Sequence, residues 1–211
     1  MSLISLINAG YKYPGSDQWV FRHFSMAIER GEVVHITGRN GSGKTTLLKV
    51  LSGLLEIREG ELQKQSGIKV AYMDQFSGEM LARDLTIHEQ LRAASARSTS
   101  SDFSPVKVLD QFGLGLQDRL GEFIGHLSGG QRQIVALLCV LAAGAGVLCL
   151  DEFTSSMDEH STKVANELIM HAKSAINISL VLVSHASPAI KIDRELDISA
   201  FIAHSQIQDA H

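Results

Sequence analysis

The 211 residues are 45% apolar, enough to bury one good-sized core or a core with an inserted lobe. No uninterrupted apolar stretch reaches the length of a membrane span, because the longest, Ile134 to Leu150, is split by Gly144-Ala145-Gly146. A net charge of −4 argues against a broad nucleic-acid surface, so no nucleic-acid partner is expected and any membrane role should come through another chain.

Met1 to Asn8 lack the basic start and long apolar centre of a secretory signal. Strand-like alternation runs through Leu3, Leu6 and Ile7 to Tyr11-Lys12-Tyr13, and Pro14-Gly15 marks a turn. A second strand, Val20 to Ile28, leads through the tight turn Glu29-Arg30-Gly31-Glu32 into a third run, Val33, Val34 and Ile36. Strands joined so closely are expected to pair antiparallel. The third strand enters Gly38-Arg39-Asn40-Gly41-Ser42-Gly43-Lys44-Thr45-Thr46, and a helical run (Leu47, Leu48, Val50, Leu51, Leu54, Leu55) leads out. This is G-x-x-x-x-G-K-[ST] between a strand and a helix, the context a phosphate-binding loop requires. Glycines let the backbone wrap around phosphates with its N–H groups inward, and the helix turns its positive end to the same anion. Lys44 is placed to reach the β- and γ-phosphates, and the Thr45 hydroxyl to hold Mg²⁺. A nucleoside triphosphate is the expected ligand.

Short strands follow at Gly60-Glu61-Leu62 and Ile68 to Met73, the second ending in Asp74-Gln75-Phe76. Helical spacing then appears from Leu85 to Ala94, with Thr86 and Glu89 as a capping box. A further helix fits Pro105 to Phe112, with Ser104 as N-cap. The serine-rich Ser95 to Ser104 reads as a surface loop between them. Residues 76–128 are thus a small helical lobe inserted into an α/β core, which resumes with a helix from Gly129 to Leu141. A buried strand (Val147 to Leu150, ending in Asp151-Glu152), a helix from about Asp158 to Lys173 and a buried strand from Ile178 to Val183 follow. The last strand ends in Ser184-His185, and Ile198 to Ile207 has room for a hairpin. Continuous apolar strands alternating with helices indicate a mostly parallel sheet. Cys139 and Cys149 lie inside apolar runs and read as buried reduced thiols, which suits the cytosol.

Ligands of such sheets sit beyond the carboxyl ends of the strands, where Gly38, Gln75, Asp151-Glu152 and His185 all fall. Asp151, a hard oxygen donor, suits Mg²⁺ through water. Glu152 faces differently and can accept a proton from an attacking water. Gln75 can orient that water and touch the metal, and His185 can hydrogen-bond the γ-phosphate as charge shifts.

Leu127-Ser128-Gly129-Gly130-Gln131, read with those groups, resembles the signature sequence of the ABC (ATP-binding cassette) ATPases. The resemblance spans nearly the whole chain. Gly38 to Thr46 matches the Walker A loop, Gln75 the Q-loop glutamine, and Val147 to Asp151 the Walker B strand with Glu152 as catalytic glutamate. Ser155-Ser156-Met157-Asp158 resembles the D-loop, His185 the switch histidine and Tyr13 the aromatic that stacks on adenine, with Tyr11 less well placed. Phe153 stands where the family usually has proline, and the interval before Gln75 is short. None of these departures removes a chemical group. The resemblance implies an α/β fold: a P-loop NTPase core with a mostly parallel sheet, an N-terminal antiparallel β subdomain and an inserted helical subdomain. The expected organisation is one cassette, with residues 1–75 and 129–211 as ATP-binding core and 76–128 as helical subdomain.

The resemblance further implies ATP and Mg²⁺ as ligands, and a second such domain, a like copy or a paralogue, closing ATP between one loop and the other's Ser128 to Gln131. Membrane-spanning transporter subunits are the expected partners and the cytoplasmic face of the membrane the expected location. A grip for those subunits is expected near Gln75, Phe76 and Met80-Leu81, although Phe76 and Leu81 could equally be lobe core. Gly121-Glu122 sits at the spacing of the exporter X-loop while the rest of that motif does not fit, so direction stays open. The alternative is a soluble ABC ATPase acting on nucleic acid or ribosomes. A regulator without turnover would need Glu152 or His185 lost, and both are present.

Overall fold

The computed structural model describes residues 2–98, 104–111, 115–184, 190–199 and 201. Its strands are β1 (Ser2–Tyr11), β2 (Phe21–Glu29), β3 (Val33–Thr37), β4 (Glu59–Lys64), β5 (Val70–Asp74), β6 (Val147–Asp151), β7 (Ser179–Val183) and β8 (Arg194–Asp197). Its helices are α1 (Lys44–Ser52), α2 (Ile87–Ser95), α3 (Pro105–Gln111), α4 (Gly129–Ala142) and α5 (Glu159–Ile176). Packing divides the chain into two compact units. The first comprises Met1–Tyr72, Val147–Asp151 and Ser179–His211, and the second Met73–Gly146 and Glu152–Ile178.

Two sheets organise the fold, a three-stranded antiparallel one ordered β2-β1-β4 and a five-stranded one ordered β5-β6-β7-β3-β8. The pairs β6–β7, β7–β3 and β3–β8 are parallel. Strands β6 and β7 are buried at every position, which is why they read as unbroken apolar runs rather than alternations. In the first unit Phe21, Phe24, Leu3 and Leu6 of the antiparallel sheet join Ile36, Leu47, Leu48 and Val181 in one apolar core. α1 lies against β6 and β7 and so stands over that core.

Two expectations are corrected. β2 and β3, despite the tight turn between them, do not pair: β2 pairs with β1, and β3 lies between β7 and β8. The turn itself is tied to distant residues. Ser179 Oγ accepts the Gly31 N–H (2.8 Å) and donates to the Glu29 carbonyl (2.9 Å), and Arg194 binds Glu32. The second correction is β8, whose Arg-Glu-Leu-Asp sequence has no apolar alternation and was not expected as a strand. It owes its conformation to the parallel ladder along β3. The expected hairpin falls largely on residues outside the described ones, as do Phe112, His185 and residues 99–103 of the serine-rich loop.

In the second unit α2 begins with the predicted capping box, Glu89 N–H to Thr86 Oγ1 and Thr86 N–H to Glu89 Oε2. Residues 83–88 are laced to 120–125 by backbone hydrogen bonds, including His88 N–H to Leu120 O (2.9 Å) and Ile124 N–H to Leu85 O (2.9 Å). α4 packs against α2, α3 and α5, with Ile134, Val135, Leu137, Leu138 and Leu141 buried.

Cys139 is partly buried on α4 of the second unit and Cys149 fully buried on β6 of the first, and burial pushes both thiols up to about 12. Neither should therefore form thiolate at pH 8. We expect alkylation of Cys149 by iodoacetamide at that pH to be negligible in the native chain and complete after denaturation, read by intact mass.

Candidate nucleotide-binding site

In the first unit the turn from β3 into α1 is made by glycines in left-handed backbone, with φ of +79° at Gly41 and +88° at Gly43. A side chain on Gly43 would also meet Val20 Cγ1 at 2.5 Å, so Val20 packs directly on the loop. α1 starts at Lys44 with Gly43 as its N-cap and has no side-chain capping bond. Its positive end is thereby left to a ligand. Ser42 Oγ is buried and finds no hydrogen-bond partner among the described residues. Lys44 Nζ folds back to the carbonyls of Gly38 (2.8 Å) and Arg39 (3.0 Å), and Thr45 is exposed.

Two further segments hold this turn. Tyr13 hydrogen-bonds Thr46 Oγ1 through its hydroxyl (2.9 Å) while its ring stays 46% exposed. Tyr11 is buried, edge-on to Tyr13 at 5.2 Å, so only Tyr13 offers a ring face to a base. On the other side Ser199 Oγ accepts the Arg39 N–H (3.1 Å), and the Ser199 N–H donates to Asp197 (2.8 Å). That hydrogen bond, with a smaller pull from Lys44, holds the Asp197 carboxyl below its usual range. Sequence reasoning missed Ser199, which lies 160 positions from the loop and has no local signal.

Asp151, at the end of β6, is buried and accepts a hydrogen bond from the Tyr72 hydroxyl (2.9 Å). Lys49 lies over the Tyr72 ring, 5.6 Å from its centre. Among the described residues no three His, Cys, Asp or Glu side chains cluster as a metal site. Thr45 and Asp151 carry oxygen donors of the kind that suit a hard dication.

Other candidate residues belong to the second unit. Glu152 adopts left-handed backbone (φ +49°), uncommon for a residue with a Cβ, and its carbonyl accepts the Ser155 N–H (2.9 Å). Gln75 is held at both ends, its Oε1 by Ser155 Oγ (2.7 Å) and its backbone carbonyl by Ser156 Oγ (3.0 Å). Ser128 caps α4 in a capping box with Gln131: Gln131 N–H to Ser128 Oγ is 3.2 Å and Ser128 N–H to Gln131 Oε1 is 3.0 Å. Asp158 caps α5 by accepting from Ser161 N–H (2.8 Å) and Oγ (3.0 Å), which lowers its pKa. The two signature glycines differ. A Cβ on Gly129 would meet nothing, whereas one on Gly130 would meet Ser161 Oγ at 2.5 Å and Ser161 Cβ at 2.9 Å. Phe76 and Met80 are exposed, 61% and 88%, so Phe76 does not belong to the lobe core. His185 lies outside the described residues.

The family model for the ABC transporter matches residues 21–155. The chain is 32% identical to the nisin transport ATP-binding protein NisT of Lactococcus lactis subsp. lactis, over 89% of this chain and 34% of that protein. It is also 32% identical to the cytochrome c biogenesis ATP-binding export protein CcmA of Nitrosococcus oceani, over 87% of each. Other relatives are matched over 31% to 73% of their length, so the chain corresponds to a part of several longer proteins. A solved structure of an ATP binding subunit of an ABC transporter superposes with a TM-score of 0.71 at 25% identity, covering 87% of this chain and 80% of that one.

The Gly43 geometry is testable without any ligand. Gly43→Ala should lose about 1–3 kcal/mol of stability in urea unfolding, because it combines positive φ with a steric clash. Adding Val20→Ala should recover the steric share but not the backbone share.

Proposed function

This chain belongs to the ABC transporter family, and from that premise we propose that it binds MgATP and hydrolyses it to drive substrate movement through separate membrane-spanning chains. The observation that carries the reading is the glycine turn into an uncapped α1, with Lys44 at its start and Ser42 Oγ buried without a partner. That is a cradle for a phosphate chain.

Within it the loop from Gly38 through Asn40, Gly41, Ser42 and Gly43 wraps the phosphates, and Lys44 and Thr46 donate to them. The Tyr13 ring stacks on adenine. Thr45 and Asp151 would hold Mg²⁺, with Gln75 assigned to it on resemblance alone, and the ion when bound neutralises charge on the phosphate oxygens. The Tyr72 hydroxyl fixes one oxygen of Asp151 and so orients the other. Glu152 accepts the proton of the attacking water, and Gln75 orients that water. His185 is assigned to the γ-phosphate on resemblance alone. Ser128, Gly129, Gly130 and Gln131, with Asp158, are read as the face offered to ATP held by a second domain, a like copy or a paralogue. Residues 1–75 and 129–211 then act as ATP-binding core and 76–128 as helical subdomain of one cassette. The exposed Phe76 and Met80 are read as contacts for membrane-spanning subunits, which would place the chain at the cytoplasmic face of the membrane.

The decisive experiment is Mg²⁺-dependent ATP hydrolysis by the purified chain, together with identification of chains that copurify from membranes. Recovery with ribosomes or DNA and no membrane subunit would instead favour a soluble ABC ATPase. Glu152→Gln should retain nucleotide binding while hydrolysis falls by about 100-fold or more, the ordinary contribution of a general base. Tyr13→Ala should weaken ATP and leave tripolyphosphate binding unchanged; equal loss of both would remove the stacking role.

A further inference from the structure

One buried polar side chain of the second unit has no part in the roles above. Gln133 lies one turn into α4, beyond Ser128 to Gln131, and is only 3% exposed. Its amide nitrogen donates to the backbone carbonyls of Asp74 and Phe153 (3.3 Å to the latter), and its Oε1 accepts the Gly78 N–H (2.6 Å). Asp74 precedes Gln75, Phe153 follows Glu152, and Gly78 belongs to the 3-10 turn Ser77–Met80. One amide thus engages both its donors and its acceptor on three backbone groups from two loops.

The surroundings are built for this contact. The 3-10 turn approaches α4 so closely that a Cβ on Gly78 would meet Gln133 N at 2.7 Å and the Arg132 carbonyl carbon at 2.9 Å. At the rim Arg132 binds Glu79 (2.6 Å), and Arg83 binds the same carboxylate. Ser155 and Ser156 then join the two loops to each other through Gln75. Breaking the amide would strand backbone polar groups in a dry interior, each at a cost of about 1–3 kcal/mol.

We propose that Gln133 is a positioning residue that locks the Gln75 loop and the segment after Glu152 to the signature helix, so that the three move as one piece. The proposal rests on the ATPase reading for its kinetic consequence and on geometry alone for its structural one. A glutamine is needed because glutamate would keep the acceptor for Gly78 and lose both donors, and methionine would keep the volume and lose all three bonds.

The test compares Gln133→Met and Gln133→Glu with the unmodified full chain. In the Met variant, amide hydrogen exchange of segments 74–80 and 153–157 should quicken by about ten-fold or more, each segment losing at least one buried hydrogen bond, while exchange elsewhere is unchanged. In the Glu variant Gly78 should stay protected and segment 153–157 should loosen. The kcat for ATP should fall by about ten-fold in both, with KM and the affinity for a fluorescent ATP analogue within about two-fold, since the interaction removed matters to chemistry rather than binding. Unchanged exchange in both segments overturns the proposal, as does unchanged kcat. Uniformly faster exchange with a matching loss of nucleotide affinity in both variants also overturns it, because that is the signature of a general packing role. If the unmodified chain hydrolyses no ATP, the ATPase reading fails, and the exchange patterns still decide whether the lock exists.

Discussion

The constraint on which the site depends is a helix that begins without satisfying itself. α1 emerges from left-handed Gly43 with no side-chain hydrogen bond capping it. A helix end in that condition needs a partner from elsewhere. Three segments of the first unit are shaped around the turn and none of them fills it. Tyr13 reaches Thr46, Val20 packs on Gly43, and Ser199 takes the Arg39 N–H. Lys44, bonded to the carbonyls of Gly38 and Arg39, adds positive charge beside the uncapped end. Backbone donors and a lysine thus meet at one helix start, a combination that suits an anion.

The helices of the second unit solve the same problem in the opposite way. α4 and α5 begin on Ser128 and Asp158, each accepting from the backbone N–H three residues on. One first-turn N–H of each helix is satisfied in this way, and Gly130 is committed to close packing on Ser161. The side left open is that of Gly129. The described residues therefore hold two kinds of helix start: α1 without a side-chain cap, and α2, α4 and α5, each with a side-chain oxygen on a first-turn N–H.

Features that depend on neighbours in sequence were legible. The Thr86–Glu89 box, the loop between β3 and α1, and the buried β6 and β7 follow from local chemistry and periodicity. What escaped depends on distance. β8 has a polar sequence and becomes a strand only because β3 offers an unpaired edge. The closeness of β2 to β3 in sequence suggested pairing, but Ser179 and Arg194, some 150 positions away, hold the turn open to two different sheets. The candidate residues at strand ends could be picked out by type and place. Their supports, Tyr72 under Asp151, Ser155 on Gln75 and Ser199 on the loop, could not, because a lone tyrosine or serine carries no pattern.

The route of the chain has a consequence for how the molecule comes into being. The backbone leaves the first unit after Tyr72, returns for only the five residues of β6, leaves again, and comes back at β7. β3, which carries the loop, is flanked on both sides by strands made after residue 178. While the chain is being synthesised the loop and α1 emerge early and wait, with one strand edge after another unpaired, until nearly all the rest has followed. Such late, long-range closure is slow and leaves apolar strands open to wrong partners in the meantime. A nascent chain of this design thus has a long window in which chaperones, or anything able to cover the edges of β3, decide how much of it reaches the native sheet.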